Sequence, residues 1–221
     1  SLMNDKKIFE NSHKYIGDLI EDFKVGYPDN IEVRLLRIDF NIKSNNYDKA
    51  SDDLKYIVDK KPDNINAWKQ LLYIENYMNH YDSVIYYAEA AIDIFEKEAT
   101  FYIMEGLAWL QKGESDKAIS VLLQGDKYST STEEKIQIYG YLAELYRNTG
   151  EDLLSDDYFE KALKLDQYNV LIRNNYSYYL ALRGKALKKA ERLSKYTIEI
   201  EPSNATYLDT YAWILYKMGK Y

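Results

Sequence analysis

The chain contains no cysteine, and histidine is limited to His13 and His80. Without thiols there is no disulfide, no cysteine nucleophile and no thiolate metal site, and the redox compartment stays open. Neither histidine has a partner at the spacing of a His-Glu-x-x-His metal helix. A glycine-rich phosphate loop and a Gly-x-Ser-x-Gly elbow are also missing. We therefore predict that the chain is not an enzyme and that it uses no metal or other cofactor.

Excess positive charge and long apolar segments are lacking as well. The chain has 29 Lys and Arg against 36 Asp and Glu, for a net charge of −7. This balance argues against a broad surface for nucleic acid or anionic lipid, both of which require clustered cations. The longest apolar run, Tyr211–Tyr216, is far shorter than the roughly 20 residues that cross a bilayer. We predict no nucleic-acid partner and no integral membrane segment.

Proline is rare too, and its positions give a period. Pro28 and Pro62 are 34 residues apart, and Pro202 lies 140 residues further on, which is four such periods plus four residues. A polar residue and then asparagine follow each proline. Proline stops the preceding helix, and asparagine caps the next one, so each site is predicted to be a boundary between two helices.

A second series of turn residues repeats at nearly the same interval. Its members accept the left-handed backbone conformation that follows a helix end: Asn45, Asn79, Gly113, Gly150, Gly184 and Gly219. Their spacings are 34, 34, 37, 34 and 35 residues. Each period is therefore predicted to hold a helix, a tight turn, a second helix and a stop, which is the pattern of a helical repeat array.

The periods resemble the tetratricopeptide repeat family, whose unit has an aromatic residue near position 4, small residues at 8 and 20, glycine at 15, tyrosine at 17, alanine at 27 and proline at 32. The matching residues include Tyr47, Ala50 and Pro62, then Trp68, Tyr81 and Ala91, then Tyr102, Gly106, Gly113 and Ala118, then Tyr139, Ala143, Gly150 and Ala162, and finally Ala212 and Gly219. The resemblance covers nearly the whole chain. It implies an all-α fold, a right-handed α-α superhelix (a solenoid) of about six helix-turn-helix repeats, the last one truncated.

The resemblance also implies one solenoid over residues 1–221. Its repeats are expected at 1–30 (degenerate), 31–64, 65–98, 99–135, 136–169 and 170–204, with 205–221 the first helix of a truncated repeat. Ser1 and Leu2 before Met3 look like an expression scar, and the sequence ends at position 17 of a repeat, so we expect a trimmed piece of a longer protein. The last two repeats resemble bacterial members, some of them envelope lipoproteins that serve as adaptors. This favours a bacterial source and leaves cytoplasm or envelope open.

Two segments depart from the family pattern. Arg34, Arg37 and Asn41 occupy positions that the family fills with apolar residues. One interpretation is a frayed capping repeat with a solvated polar face, and the other is a cationic spot for a partner carboxylate. An insertion falls within Lys127–Lys135, where Ser and Thr favour a loop or cap and Thr132 is expected to begin the next helix.

On the first helix of each repeat, positions 4, 7, 8 and 11 form one stripe and positions 2, 5, 9 and 12 form another. In the family the former packs against neighbouring helices, and the latter lines a concave groove. Mapped onto this sequence, the groove passes Gln137, Gly140 and Leu171. Our partner-binding candidates along it are Asn66, Lys69, Tyr73, Asn76, Glu144, Arg147, Asn174, Tyr178, Trp213 and Tyr216.

Aromatic and amide groups in this arrangement suit an extended peptide, because rings supply apolar area and amides bond its backbone. The family's clamp for a chaperone tail is absent, since Tyr73 stands where it has asparagine and Gln137 and Tyr141 where it has cations. We predict a non-enzymatic scaffold that binds a peptide or protein in the groove. The alternative is an assembly module that docks another copy or a following domain through a C-terminal edge containing Trp213 and Tyr216.

Overall fold

The computed structural model describes the backbone of residues 2–220 and the side chains of residues 14–220. Within that range the chain is built of α-helices and has no strand. The helices are α1 (Leu2–Gly26), α2 (Ile31–Lys43), α3 (Tyr47–Lys60), α4 (Ile65–Tyr77), α5 (Tyr81–Ile94), α6 (Ala99–Gln111), α7 (Ser115–Tyr128), α8 (Thr132–Asn148), α9 (Asp152–Leu165), α10 (Val170–Leu182), α11 (Leu187–Ile200) and α12 (Ala205–Lys217). Every helix between residues 2 and 220 is too short or too polar to cross a bilayer.

The chain divides into two compact units, Ser1–Lys112 with α1 to α6 and Gly113–Tyr221 with α7 to α12. In each unit consecutive helices pack against each other, and alternate helices also pack, α4 on α6 in unit 1 and α10 on α12 in unit 2. This is the packing of an all-α helical-repeat solenoid, in which each helix pair buries its apolar face on its neighbours. The prediction of this fold class is confirmed. One solenoid over the whole chain stays a prediction.

The proline-x-asparagine sites are helix boundaries, as predicted. The side chains of Asn30, Asn64 and Asn204 each accept hydrogen bonds from backbone N–H groups in the first turn of the helix that follows. The first four N–H groups of a helix have no partner within it, and a cap of this kind contributes about 1 kcal/mol. The caps therefore set where α2, α4 and α12 begin.

All six predicted turn residues have the left-handed conformation, with φ from 58° at Asn45 to 84° at Gly150. A seventh residue, Ala186, also has positive φ, at 49°, and it directly precedes α11. The insertion near residue 130 lengthens a helix instead of forming a long loop. A capping box between Ser131 and Glu134 starts α8 at Thr132, as the sequence predicts.

The predicted packing stripe forms the core in most repeats. Trp68, Leu71 and Leu72 are buried in unit 1, and Leu142 and Ala143 are buried in unit 2. The prediction is wrong for α12, where the buried residues are Tyr207, Thr210 and Ile214, and where Leu208 is 44% exposed. The reason is that α10 and α11 cover one side of α12, and no helix of the described chain covers the other.

Arg34 and Arg37 are buried, so both interpretations made from the sequence are wrong. Each guanidinium donates to the same Asp53 Oδ1, at 2.7 and 2.8 Å. Arg37 also contacts Glu21 on α1, and Arg34 donates to the carbonyl of Pro28. The charges are therefore neither solvated nor open to a partner. They tie α1, α2 and α3 together through a buried ion-pair network, a contact that sequence periodicity does not reveal.

Candidate functional site

In unit 1 the groove candidates lie along one face of α4. Asn66 is exposed, Tyr73 is 56% exposed, and Lys69 and Asn76 are half-buried. Lys69 is not a free cation, because its Nζ is 2.9 Å from Glu98 Oε1 at the start of α6. What this face offers is therefore an exposed tyrosine ring flanked by amides and by a neutralised lysine.

In unit 2 a cleft lies between α8 and α10, and we call it the α8–α10 cleft. Its volume is about 210 Å³. Its lining has an apolar part, with Ile136, Leu171 and Ile172, and a polar part, with Gln137, Tyr141, Glu144, Asn169 and Asn175, and Gly140 completes it. Four residues that the sequence mapping placed in the groove, Gln137, Gly140, Glu144 and Leu171, therefore meet in one cavity.

Gly140 allows a close approach of α10 to α8 at this repeat. It occupies repeat position 5, and a Cβ built there would be 3.0 Å from Cδ1 of Ile172. At the same position in α4, Lys69 forms an ion pair with Glu98, the residue that precedes α6. In α10 the corresponding Asn174 is itself buried. Only hydrogen occupies position 5 in α8, so Ile172 packs against the α8 backbone and forms part of the cleft lining.

Glu144 is the one charged side chain among the residues that line the cleft. Arg147, one turn further along α8, does not reach it: its guanidinium lies 4.6 Å from the ring centroid of Tyr179 and donates to Asn148. Arg173 on α10 similarly lies over the ring of Tyr196. No ion pair of Glu144 is found between residues 14 and 220. The cleft thus carries a carboxylate whose charge no neighbouring cation pairs.

The other candidates in unit 2 differ in accessibility. Asn174 is buried, with an Oδ1 that finds no hydrogen-bond partner among the described side chains, so it does not present a groove surface. Tyr178 is 38% exposed and lies against Tyr179. Trp213 and Tyr216 stack at 5.6 Å between ring centroids on α12. These residues do not line the α8–α10 cleft, so the structure does not gather the unit 2 candidates into one site.

Besides Asp53, whose pKa is raised by burial, two buried carboxylates in unit 1 have perturbed pKa values. Burial alone would raise the pKa of Glu75, but hydrogen bonds from Lys55, Ser51 and His80 hold it below its ordinary value. His80, which is exposed in the turn before α5, thus contacts a buried acid. Burial raises the pKa of Glu105 to about 6, against a hydrogen bond from Trp109.

Neither carboxylate belongs to a catalytic arrangement that we can identify. Among residues 14–220 there is no group of three His, Asp or Glu side chains able to hold a metal ion. The side chain of His13 lies outside the described residues. That the chain is not an enzyme stays a prediction from its sequence.

Sequence reasoning missed several residues of the cleft, namely Ile136, Tyr141, Asn169, Ile172 and Asn175. They are not at the groove positions 2, 5, 9 and 12. A cleft between two helices is also lined by residues on either side of the groove stripe of each helix. A signal was present in Gly140. Glycine inside a helix costs about 1 kcal/mol relative to alanine, so its presence suggests a close approach or an open space.

Comparison with known proteins identifies the fold. No protein-family model matches the sequence, and no curated protein matches it. The structure is similar to a tetratricopeptide repeat protein from Parabacteroides merdae ATCC 43184, with TM-score 0.68 and 18% identity over 86% of this chain and 74% of that one. It is similar to the APC/C hetero-tetramer Cut9-Hcn1, with TM-score 0.67 and 16% identity over 94% of this chain and 40% of that one. It is also similar to YrrB, a TPR protein with an unusual peptide-binding site, with TM-score 0.56 and 14% identity over 76% and 84%.

Proposed function

We infer that this chain, which has the tetratricopeptide-repeat fold, is a non-enzymatic protein-interaction scaffold that binds an extended peptide segment of a partner. The observation that carries this proposal is the α8–α10 cleft, where groove positions of two successive repeats meet in a lining that has both apolar and polar side chains. A cleft of about 210 Å³ is smaller than the 300–1,000 Å³ typical of small-molecule pockets, and it suits one side chain of a longer ligand.

The polar lining supports the choice of a peptide. Gln137 and Asn175 carry both an amide donor and a carbonyl acceptor, which match the N–H and C=O groups of an extended backbone. Leu171 is 57% exposed at the edge of the cleft and supplies apolar area to an incoming side chain. In unit 1 the exposed ring of Tyr73 offers a second contact of the same kind.

The test is selection of a random peptide library on the purified protein, followed by measurement of the affinity of each selected peptide by calorimetry. We expect Leu171→Ser to weaken binding about tenfold, because it removes apolar area from the cleft without adding a charge. Leu153→Ser is the matched control, since Leu153 lies on α9, is 86% exposed and does not line the cleft.

A second variant separates loss of the site from loss of the fold. Gly140→Met puts a flexible side chain into the cleft and displaces Ile172, whose Cδ1 would be 3.0 Å from the new Cβ, and thermal unfolding of the variant shows whether the fold is kept. Tyr73→Ala tests the contribution of unit 1. If every selected peptide binds Leu171→Ser, Gly140→Met and Tyr73→Ala as well as it binds the original protein, the proposal is wrong.

A second candidate function is an assembly module that docks through α12. It is favoured by the exposure of Leu208, at a repeat position that is buried as Trp68 in α4, and by the stack of half-buried Trp213 on exposed Tyr216. We expect Leu208→Glu to lower the mass measured by light scattering at high protein concentration. A mass that corresponds to one chain at every concentration would remove this candidate.

We also propose a bacterial source, supported by the resemblance of the last two repeats to bacterial members. Cytoplasm and cell envelope are both compatible with this proposal. The native gene decides between them, because a lipoprotein cysteine encoded upstream would place the protein in the envelope.

A further inference from the structure

We propose that the α8–α10 cleft selects a basic side chain, lysine or arginine, of the bound peptide, with Glu144 as the counter-charge. This inference rests on the proposed function and names the chemistry of its ligand.

The shape of the cleft fits such a side chain. A lysine or arginine has an aliphatic stem of three or four carbons that gains free energy on apolar surface, and a charged head that needs hydrogen-bond acceptors. The cleft offers Leu171 and Ile172 to the stem. It offers the carboxylate of Glu144 and the amide oxygen of Gln137 to the head.

The charges around the cleft favour a cation over an anion or an apolar side chain. Glu144 is the charged member of the lining, and the nearby guanidinium groups of Arg147 and Arg173 are engaged with the rings of Tyr179 and Tyr196. A guest carboxylate would therefore meet a like charge without a cation to offset it. A purely apolar guest would cover Glu144 and desolvate it without a partner.

Gly140 lets Ile172 pack close to the α8 backbone, which places apolar surface in the cleft for the stem. At the same repeat position in α4 stands Lys69, whose ammonium group lies beside Glu98, the residue that precedes α6. The protein thus contains, between α4 and the start of α6, an example of the contact that we propose for the guest. In the α8–α10 pair the guest supplies the cation that the chain lacks.

The test uses three defined probes, the Nα-acetyl methylamides of lysine, norleucine and glutamate, titrated into ¹⁵N-labelled protein at millimolar concentration and followed by NMR. Norleucine keeps the stem of lysine and lacks its charge. We expect the lysine probe to shift the amide signals of Gly140, Glu144 and Leu171 in a saturable way. We expect affinity at least threefold higher than for norleucine, and a ratio that falls as salt is raised.

Variants of Glu144 complete the test. Glu144→Gln should bring the lysine and norleucine probes to equal affinity, and Glu144→Lys should make the glutamate probe the better ligand. Glu133→Gln is the matched control, since Glu133 is exposed on the same helix and does not line the cleft. Equal binding of lysine and norleucine to the original protein, or no shift of the Gly140 signal with any probe, would overturn the inference.

The two proposals fail in different ways. If library selection yields peptides that depend on Leu171 but prefer an apolar or acidic residue, the scaffold function stands and the basic specificity is wrong. If no selected peptide depends on the cleft while the lysine probe still binds at Glu144, the basic pocket stands and the peptide-scaffold function is wrong.

Discussion

Replacing Glu105 by glutamine should stabilise the protein at neutral pH and leave its stability in acid unchanged. Glu105 is buried in α6, and Trp109 Nε1 donates to its Oε1 at 3.1 Å. Burial, with a smaller contribution from the charge of Glu89, raises the pKa of Glu105 from an ordinary value of 4.5 to about 6. The folded protein therefore prefers the protonated, neutral acid, which glutamine imitates in shape and hydrogen bonding.

The magnitude follows from the pKa shift. A raised pKa in the folded state means that the contribution of Glu105 is fully present below pH 4.5 and is lost as pH rises through about 6. A difference of about 1.5 pKa units corresponds to roughly 2 kcal/mol. In a chain of this size that free energy corresponds to a rise in melting temperature of about 4–8 °C.

The assay is urea unfolding of the original protein and Glu105→Gln, followed by circular dichroism at several pH values from 4 to 7. Other titrating groups cancel in the difference between the two curves. We expect that difference to grow from near zero at pH 4 to about 2 kcal/mol in favour of glutamine at pH 7. Glu89→Gln should give a much smaller gain. A constant difference across this range, or a variant that is less stable at pH 7, would refute the reasoning.

Three further predictions concern stability, each measured by the urea midpoint. Asp53→Asn removes the negative charge shared by two buried guanidinium groups and should cost about 3–5 kcal/mol, whereas Asp52→Asn at the exposed neighbouring position should cost little. Gly150→Ala should cost about 1 kcal/mol, because Gly150 has φ of 84°, while Gly26→Ala, with open space and an ordinary φ, should not. Glu75→Gln should destabilise at pH 7 and become neutral in acid, opposite in sign to Glu105, because the pKa of Glu75 is lowered in the folded protein.

The helical repeat could be predicted because its signals are local. A proline, an asparagine cap and a left-handed glycine act on the backbone within one helical turn. Asn64 therefore caps α4 and Gly150 has a positive φ, as their residue types predict. The prediction failed for Arg34 and Arg37, whose burial depends on an aspartate 16 to 19 residues away on another helix.

The candidate site was predicted in part. Groove positions bring Glu144 into the α8–α10 cleft, but the same rule placed Asn174 on the surface, where the structure buries it. The position of a residue within a helix predicts the direction in which its side chain points. It does not predict which residues of other helices the side chain contacts. At repeat position 5, Lys69 forms an ion pair, Gly140 lines the cleft and Asn174 is buried. The three differ because each lies opposite a different neighbouring helix.

The amino-acid sequence by itself determined the period of this protein, the ends of its helices and the six left-handed turns, since these depend on backbone sterics and on hydrogen bonds between near neighbours in the chain. Only the tertiary structure decided which charges are buried in pairs, which face of α12 is covered and where two helices separate to leave a cleft. Those outcomes depend on the distance between side chains that are remote in sequence, and only the packed helices determine that distance.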